Sequence, residues 1–203
     1  MIIVIATANI NKVEEIRAKL RELGASHIEL RDLGAYAAYV PPEENGATFA
    51  ANARIKAVAA AAMSGYTALA DDSGLMVEAL GGAPGVYSAR YAGCGHDDAV
   101  NNAKLLQELA GVPLERRQAA FHCSIAIARP TGEVLLAEGR VDGIILEQPR
   151  GRSGFGYDPL FYVTELGCGM AELSMEEKNR VSHRARALEA ALPLLIVHPE
   201  SNE

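Results

Sequence analysis

Two adjacent carboxylates, Asp71 and Asp72, follow the apolar run Ala68-Leu69-Ala70, with Ser73 and Gly74 directly behind them. Acidic side chains at the end of a buried run place hard oxygen donors where a divalent cation can be held. Groups of complementary chemistry stand at both ends of the chain: Thr7, Asn9 and Lys12 near the start, Lys178, His183 and Arg184 near the end. Carboxylates for a cation, with basic groups for an anion, point to metal-assisted chemistry on a phosphate ester. Glu43 and Glu44, ahead of Gly46, read on their own as a solvated surface pair. Beside Asp71 and Asp72 they become candidate Mg²⁺ ligands, because Mg²⁺ takes a few carboxylate oxygens and leaves its other positions to water and substrate phosphate.

Three further segments carry usable chemistry. Thr7-Ala8-Asn9-Ile10-Asn11-Lys12 lies between a strand and a helix, where backbone N–H groups attract phosphate and a lysine adds a full charge. It is not a P-loop, which needs more glycines and a Lys-Ser/Thr pair; the plain alternative is a capping loop with Lys12 solvated. Phe155-Gly156-Tyr157-Asp158-Pro159 sets two aromatics and a carboxylate in a glycine-rich loop, an aromatic face with a polar edge reader that suits a nucleobase. Its alternative is core packing, more so for Tyr157 than for Asp158. Ser182-His183-Arg184 offers a row of donors near a helix start. His27, His96, His122 and His198 have no metal-like spacing.

These residues have to be positioned by regular elements, and the pattern supplies them. Ile2 to Ala6 is rich in β-branched residues and predicts a buried strand. Val13, Ile16, Leu20 and Leu23 mark one helix face, with Gly24 as its stop. Ile28 to Leu30 reads as a second strand. Thr48 predicts the N-cap of an alanine-rich helix to about Met63. The next strand is expected to end at Asp71-Asp72, with a separate short strand over Leu75 to Ala79. Gly81 to Arg90 is a glycine- and proline-punctuated loop. Asp97 caps a helix through Leu109. Phe121, Cys123, Ile125 and Ile127 alternate as in a half-buried strand, and Pro130-Thr131-Gly132 turns it back as a hairpin. Ser174 with Glu177 is a capping-box signature. Helix is expected to stop near Leu192, since Pro193 makes continuation costly. Helices between early strands favour parallel pairing and the later hairpin demands an antiparallel pair, so the sheet should be mixed α/β.

The chain has 203 residues, is 49% apolar and carries a formal net charge of −7. That suits one globular domain over 1–203 with a loose tail from about 199. It argues against a general nucleic-acid binder, which needs a basic face, but allows a local basic pocket for a small polyanion. Cys94, Cys123 and Cys168 form no C-x-x-C pair, so they read as reduced thiols rather than a disulfide or zinc framework. The first apolar run is too short for a signal or membrane segment and lacks a basic leader, which makes the cytoplasm the expected location and a membrane an unexpected partner.

Taken together, the motifs resemble, in order and over nearly the whole chain, the HAM1-like family of inosine/xanthosine triphosphate pyrophosphatases, in particular its bacterial dITP/XTP branch. Thr7, Asn9 and Lys12 match its T-G-N-x-x-K loop, and Glu43 to Phe49 its acidic E-E-x-G-x-T-F segment. Asp71 to Leu75, Gly81 to Arg90, Phe155 to Pro159, and Lys178 with Ser182-His183-Arg184 match its remaining signatures. Two positions depart: Ala8 replaces the usual glycine, and Ala51 stands where many relatives carry Glu.

The resemblance implies an elongated mixed sheet with flanking helices, two lobes around a central cleft, and a homodimer. It implies Mg²⁺-dependent hydrolysis of ITP, dITP and XTP to monophosphate and pyrophosphate. Asp72 is then the catalytic carboxylate and, with Glu43, a metal ligand, Asp71 or Glu44 being neighbours. Thr7, Ala8, Asn9, Ile10, Asn11, Lys12, Ser73, Phe155, Gly156, Tyr157, Asp158, Lys178, His183 and Arg184 would bind substrate, with Arg184 and His183 donating to the 6-oxo group. Two other readings compete: a Maf-like nucleotide pyrophosphatase acting on modified pyrimidines, dTTP or UTP, and a nucleotide-binding module without turnover.

Overall fold

The computed structural model describes residues 1–25, 27–36, 39–93 and 97–196. Cys94, His96, His198 and the expected tail from about 199 lie outside them. The strands are β1 Ile2–Ile5, β2 Glu29–Asp32, β3 Thr67–Val77, β4 Gln118–Ala128, β5 Val134–Ile145, β6 Phe161–Val163 and β7 Cys168–Gly169. They form one seven-stranded sheet in the order β2-β1-β3-β4-β5-β6-β7. The sheet is mixed. β1 runs parallel to both β2 and β3, with Ile3 opposite Leu30 and Thr67, whereas β6 is antiparallel to β5 and to β7. The helices are α1 Ile10–Glu22, α2 Phe49–Ser64, α3 Asp98–Glu108, α4 Met175–Val181 and α5 His183–Ile196.

The chain divides into two compact units. The first comprises Met1–Asp72, Cys123–Gly139 and Arg184–Glu203, the second Ser73–His122 and Arg140–His183. Period-two alternation builds the first unit from both faces of its strands. Leu69 of β3 joins Ile3, Ile5, Ile125 and Ile127 in a core shared with Ile16 and Leu20 of α1 and Leu188 of α5. Ala68 and Ala70, pointing the other way, join Val4, Ala126 and Ala128 against Ala53, Ala57, Ala60 and Ala61 of α2. The alanines of α2 thus allow a close approach to the sheet. The second unit has its own core, in which Leu75 and Val77 pack with Leu105 and Leu109 of α3, Phe121, Val141, Phe161 and Met170.

The expected caps are formed. Thr48 accepts from the Ala51 N–H, Asp97 from Ala99 and Val100, and Ser174 from Glu177; Asn9, expected only as a phosphate-loop residue, also caps α1 by accepting from the Lys12 N–H. Two expectations fail. β3 does not end at the acidic pair but continues through it to Val77, absorbing the short strand expected over Leu75 to Ala79. Charged residues can sit inside this strand because cations meet them on each face, as described below. α5 passes through Pro193 and ends at Ile196. Pro193 lies in its last turn, and Arg129 donates to the Leu194 carbonyl at 3.3 Å, supplying a partner for one of the terminal acceptors.

Candidate active site

In the first unit, the alternation of β3 sends its two carboxylates to opposite faces. Asp71 is fully buried on the α1 and α5 side. Its Oδ2 lies 3.0 Å from Lys12 Nζ and accepts from Arg184 Nη2 at 2.9 Å and Nε at 3.2 Å. Arg184 Nη1 pairs in turn with Glu15, which stands one helical turn after Lys12 on α1. These four residues form an alternating buried cluster of two cations and two carboxylates. Burial alone would raise the Asp71 pKa, but Lys12, Arg184 and Lys56 hold it far below the usual carboxylate range. Burial would lower the Arg184 pKa, yet Asp71 and Glu15 raise it. Cys123 lies beside this cluster, its thiol pushed up to about 12 by burial and then by Asp71, as befits an inert core cysteine.

Asp72 faces α2. Its Oδ2 accepts from Asn52 Nδ2 at 3.2 Å and its Oδ1 from Lys56 Nζ at 3.2 Å. Lys56 also donates to Glu44 at 3.0 Å, and Asn52 Oδ1 accepts from the Gly46 N–H at 2.7 Å. Two side chains one turn apart on α2 therefore draw the acidic loop to Asp72. Gly46 is required there, since a Cβ would stand 2.6 Å from Asn52 Oδ1. Burial raises the Asp72 pKa above the usual carboxylate value despite the opposing pull of Lys56 and Lys12. Adjacent carboxylates pushed in opposite directions suit different tasks: Asp71 stays ionised as a counter-ion, and Asp72 holds protons more tightly.

The Asp72–Glu44 arrangement fits a divalent cation. One ammonium already bridges the two carboxylates, so they can share a positive charge, and their oxygens are the hard donors Mg²⁺ prefers. Among the described residues no group of three or more His, Cys, Asp or Glu side chains forms a metal cluster. Glu43, the expected ligand, is exposed, and it is Glu44 that shares Lys56 with Asp72. The phosphate-loop residues gather at the start of α1, where the first turn presents backbone N–H groups: Thr7 Oγ1 accepts from the Asn9 N–H at 3.2 Å, and Ala8, Ile10 and Asn11 are exposed.

In the second unit, Phe155 is framed by polar contacts. Asp158 Oδ2 accepts from the Phe155 N–H at 2.9 Å and from Lys178 Nζ at 2.6 Å. Lys178 also sits 4.6 Å from the Phe155 ring centroid, over one face of the ring. Asp158 is buried and organises this loop from within. Tyr157 was expected to touch substrate, but its ring is core and its hydroxyl donates to the Ser88 carbonyl at 2.8 Å. Ser73 is half-buried on β3. His183 stacks on Phe121, with ring centroids 4.8 Å apart. Arg184 was expected to read a base edge. Its Nε, Nη1 and Nη2 instead bind Asp71 and Glu15, because two buried carboxylates need a cation more than an exposed edge does.

A model of the Ham1 family matches residues 3–194. The chain belongs to the Ham1 family. It is 52% identical over 195 residues to a dITP/XTP pyrophosphatase of Desulforamulus reducens, covering 96% of each chain. It is 53% identical over 186 residues to one of Geobacter sulfurreducens, covering 92% of each. The structure of a HAM1 protein from Coxiella burnetii superposes with a TM-score of 0.87 at 42% identity, over 98% of this chain and 100% of that one.

Both departures from the Ham1 pattern are structurally mild. Among the described residues no non-glycine has a positive φ, so Ala8 needs no glycine-like backbone. Ala51 still donates its N–H to Thr48 Oγ1 at 3.1 Å, so the cap of α2 forms without the Glu. The residues missed from sequence are Glu15, Asn52 and Lys56. Asn52 and Lys56 had a usable signal, two polar residues at i,i+4 on the face of α2 that also buries Ala53, Ala57 and Ala60. Glu15 had a weaker one, its i,i+3 spacing from Lys12.

Proposed function

We propose that this Ham1-family chain is a Mg²⁺-dependent hydrolase that cleaves dITP, ITP and XTP to the monophosphate and pyrophosphate, clearing deaminated purines from the nucleotide pool. The observation that carries this reading is the divided acidic pair of β3, with Asp71 tied to the phosphate-loop lysine and Asp72 tied to Glu44. Relatives about half identical along almost the entire chain bear the corresponding name.

Thr7, Asn9, Lys12 and the backbone of Ala8, Ile10 and Asn11 hold the triphosphate. Asp72 and Glu44, with Glu43 beside them in the chain, would hold Mg²⁺, which when bound would supply positive charge against the phosphates and the leaving pyrophosphate. Asp72 orients the attacking water. Ser73 adds a hydroxyl next to it. Phe155 stacks on the purine, and the Gly156 and Asp158 backbone shapes that loop. His183 donates to the 6-oxo acceptor, which adenine replaces by an amino donor. Arg184 acts by holding Asp71 in place. We further propose a cytoplasmic homodimer; among the described residues no helix is long and apolar enough to cross a membrane.

With Mg²⁺, dITP and XTP should yield stoichiometric pyrophosphate and monophosphate far faster than dATP, dTTP or UTP. Preference for dTTP or UTP would support the Maf-like alternative, and tight dITP binding without turnover a binding module; either result overturns the proposal. Lys12→Ala should lower kcat/KM for dITP by about 1.5–3 kcal/mol, the range for a charge-assisted contact. An unchanged value in steady-state kinetics would remove Lys12 from the phosphate site.

A further inference from the structure

The backbone directly after Phe155 is gripped by α3, whose residues no part of the proposed chemistry uses. Asp98 Oδ2 accepts from the Gly156 N–H at 2.6 Å, and Asn102 Nδ2 donates to the Gly156 carbonyl at 2.8 Å. Positions 98 and 102 are one helical turn apart and share a face, so one face of α3 takes both polar groups of the residue that follows Phe155. Asp97 already caps α3, which leaves the neighbouring Asp98 carboxylate to reach the loop. Phe155 is flanked by Gly154 and Gly156, with φ of +78° and +62°, a pair that gives the free segment unusually many conformations. Asp158 holds Phe155 itself: its Oδ2 accepts from the Phe155 N–H at 2.9 Å and its N–H donates to the Phe155 carbonyl at 3.2 Å. α3 adds a second hold, on the residue that follows.

We propose that Asp98 and Asn102 are positioning residues that set the Phe155 ring for the nucleobase and so control affinity at the base end of the substrate. The proposal rests on Phe155 being the stacking surface. Ordering this loop in advance removes a conformational cost that binding would otherwise meet.

The test uses the full-length protein with saturating Mg²⁺ and dITP as substrate, and inorganic triphosphate as competitive inhibitor probing the phosphate end alone. Asp98→Ala and Asn102→Asp should each raise KM for dITP about tenfold, the loss expected for a charge-assisted hydrogen bond or for a carboxylate set against a carbonyl, while kcat stays within about twofold. The inhibition constant of triphosphate should not move. Asp98→Asn keeps an oxygen acceptor for the Gly156 N–H and should recover most of the lost affinity. A rise in KM matched by weaker triphosphate inhibition, or an unchanged KM, would overturn the proposal. Phe155→Ala separates the two readings: if it leaves KM for dITP unchanged, the stacking role itself fails. If it raises KM while Asp98→Ala does not, the stacking role stands and the α3 grip is wrong.

Discussion

Replacing Asp72 by Asn is expected to lower kcat for dITP by about 10²-fold or more, the loss typical of a principal acid–base or water-orienting group. The amide is nearly isosteric and can still meet Asn52 and Lys56, which bind the carboxylate at 3.2 Å each. It cannot accept a proton from water or share a divalent cation with Glu44 as a carboxylate does. The fold should survive, because burial already opposes a charge at this position and raises its pKa. Steady-state kinetics at saturating Mg²⁺, with circular dichroism and a urea midpoint as controls on folding, would check both halves. A kcat close to that of the parent protein would return Asp72 to a structural role and leave the reading without its catalytic carboxylate.

The contrast between Asp71 and Asp72 shows what was legible in the sequence. Residue types and their order announced the acidic pair, the phosphate loop, the caps at Thr48, Asp97 and Ser174, and the aromatic loop, because each is a local pattern read within a few residues. What they did not announce was which cation meets which carboxylate. Lys12 meets Asp71, and Arg184 meets it from a distant part of the chain; Lys56 and Asn52 meet Asp72 from α2. Those pairings follow from which face of β3 each odd or even residue occupies, and the face is fixed only once α1, α2 and α5 have packed. The same ignorance produced the mistaken strand end at Asp72: an uncompensated charge would have ended a buried strand, but both charges are compensated. Tyr157 and Arg184 were misjudged for a related reason. An aromatic or a guanidinium in a motif advertises binding, yet it is equally good at filling a core or neutralising buried acids.

Arg184→Ala is therefore expected to act first on stability. The guanidinium is 1% exposed and joins two buried carboxylates, Asp71 at 2.9 Å and Glu15. Removing one member of a buried ion cluster leaves charge in a low-dielectric interior and costs about 3–5 kcal/mol, a large part of the roughly 5–15 kcal/mol that holds a domain together. The pH dependence carries the sign of the argument. In the parent protein the Asp71 pKa lies below its ordinary value of 3.8, so its stabilisation is present above that pH and is lost as pH falls toward the folded-state value. In the variant, burial raises the carboxylate pKa with one cation fewer to oppose it, so protonation at lower pH relieves the defect. Urea unfolding should accordingly show a wide stability gap between variant and parent at pH 7 and a narrower one near pH 4. A gap that is small, or that does not narrow with acid, would mean the ion cluster does not hold Asp71 as described. Were such a stable variant also to lose its preference for dITP over dATP, with the two kcat/KM values converging, Arg184 would be reassigned to the base edge.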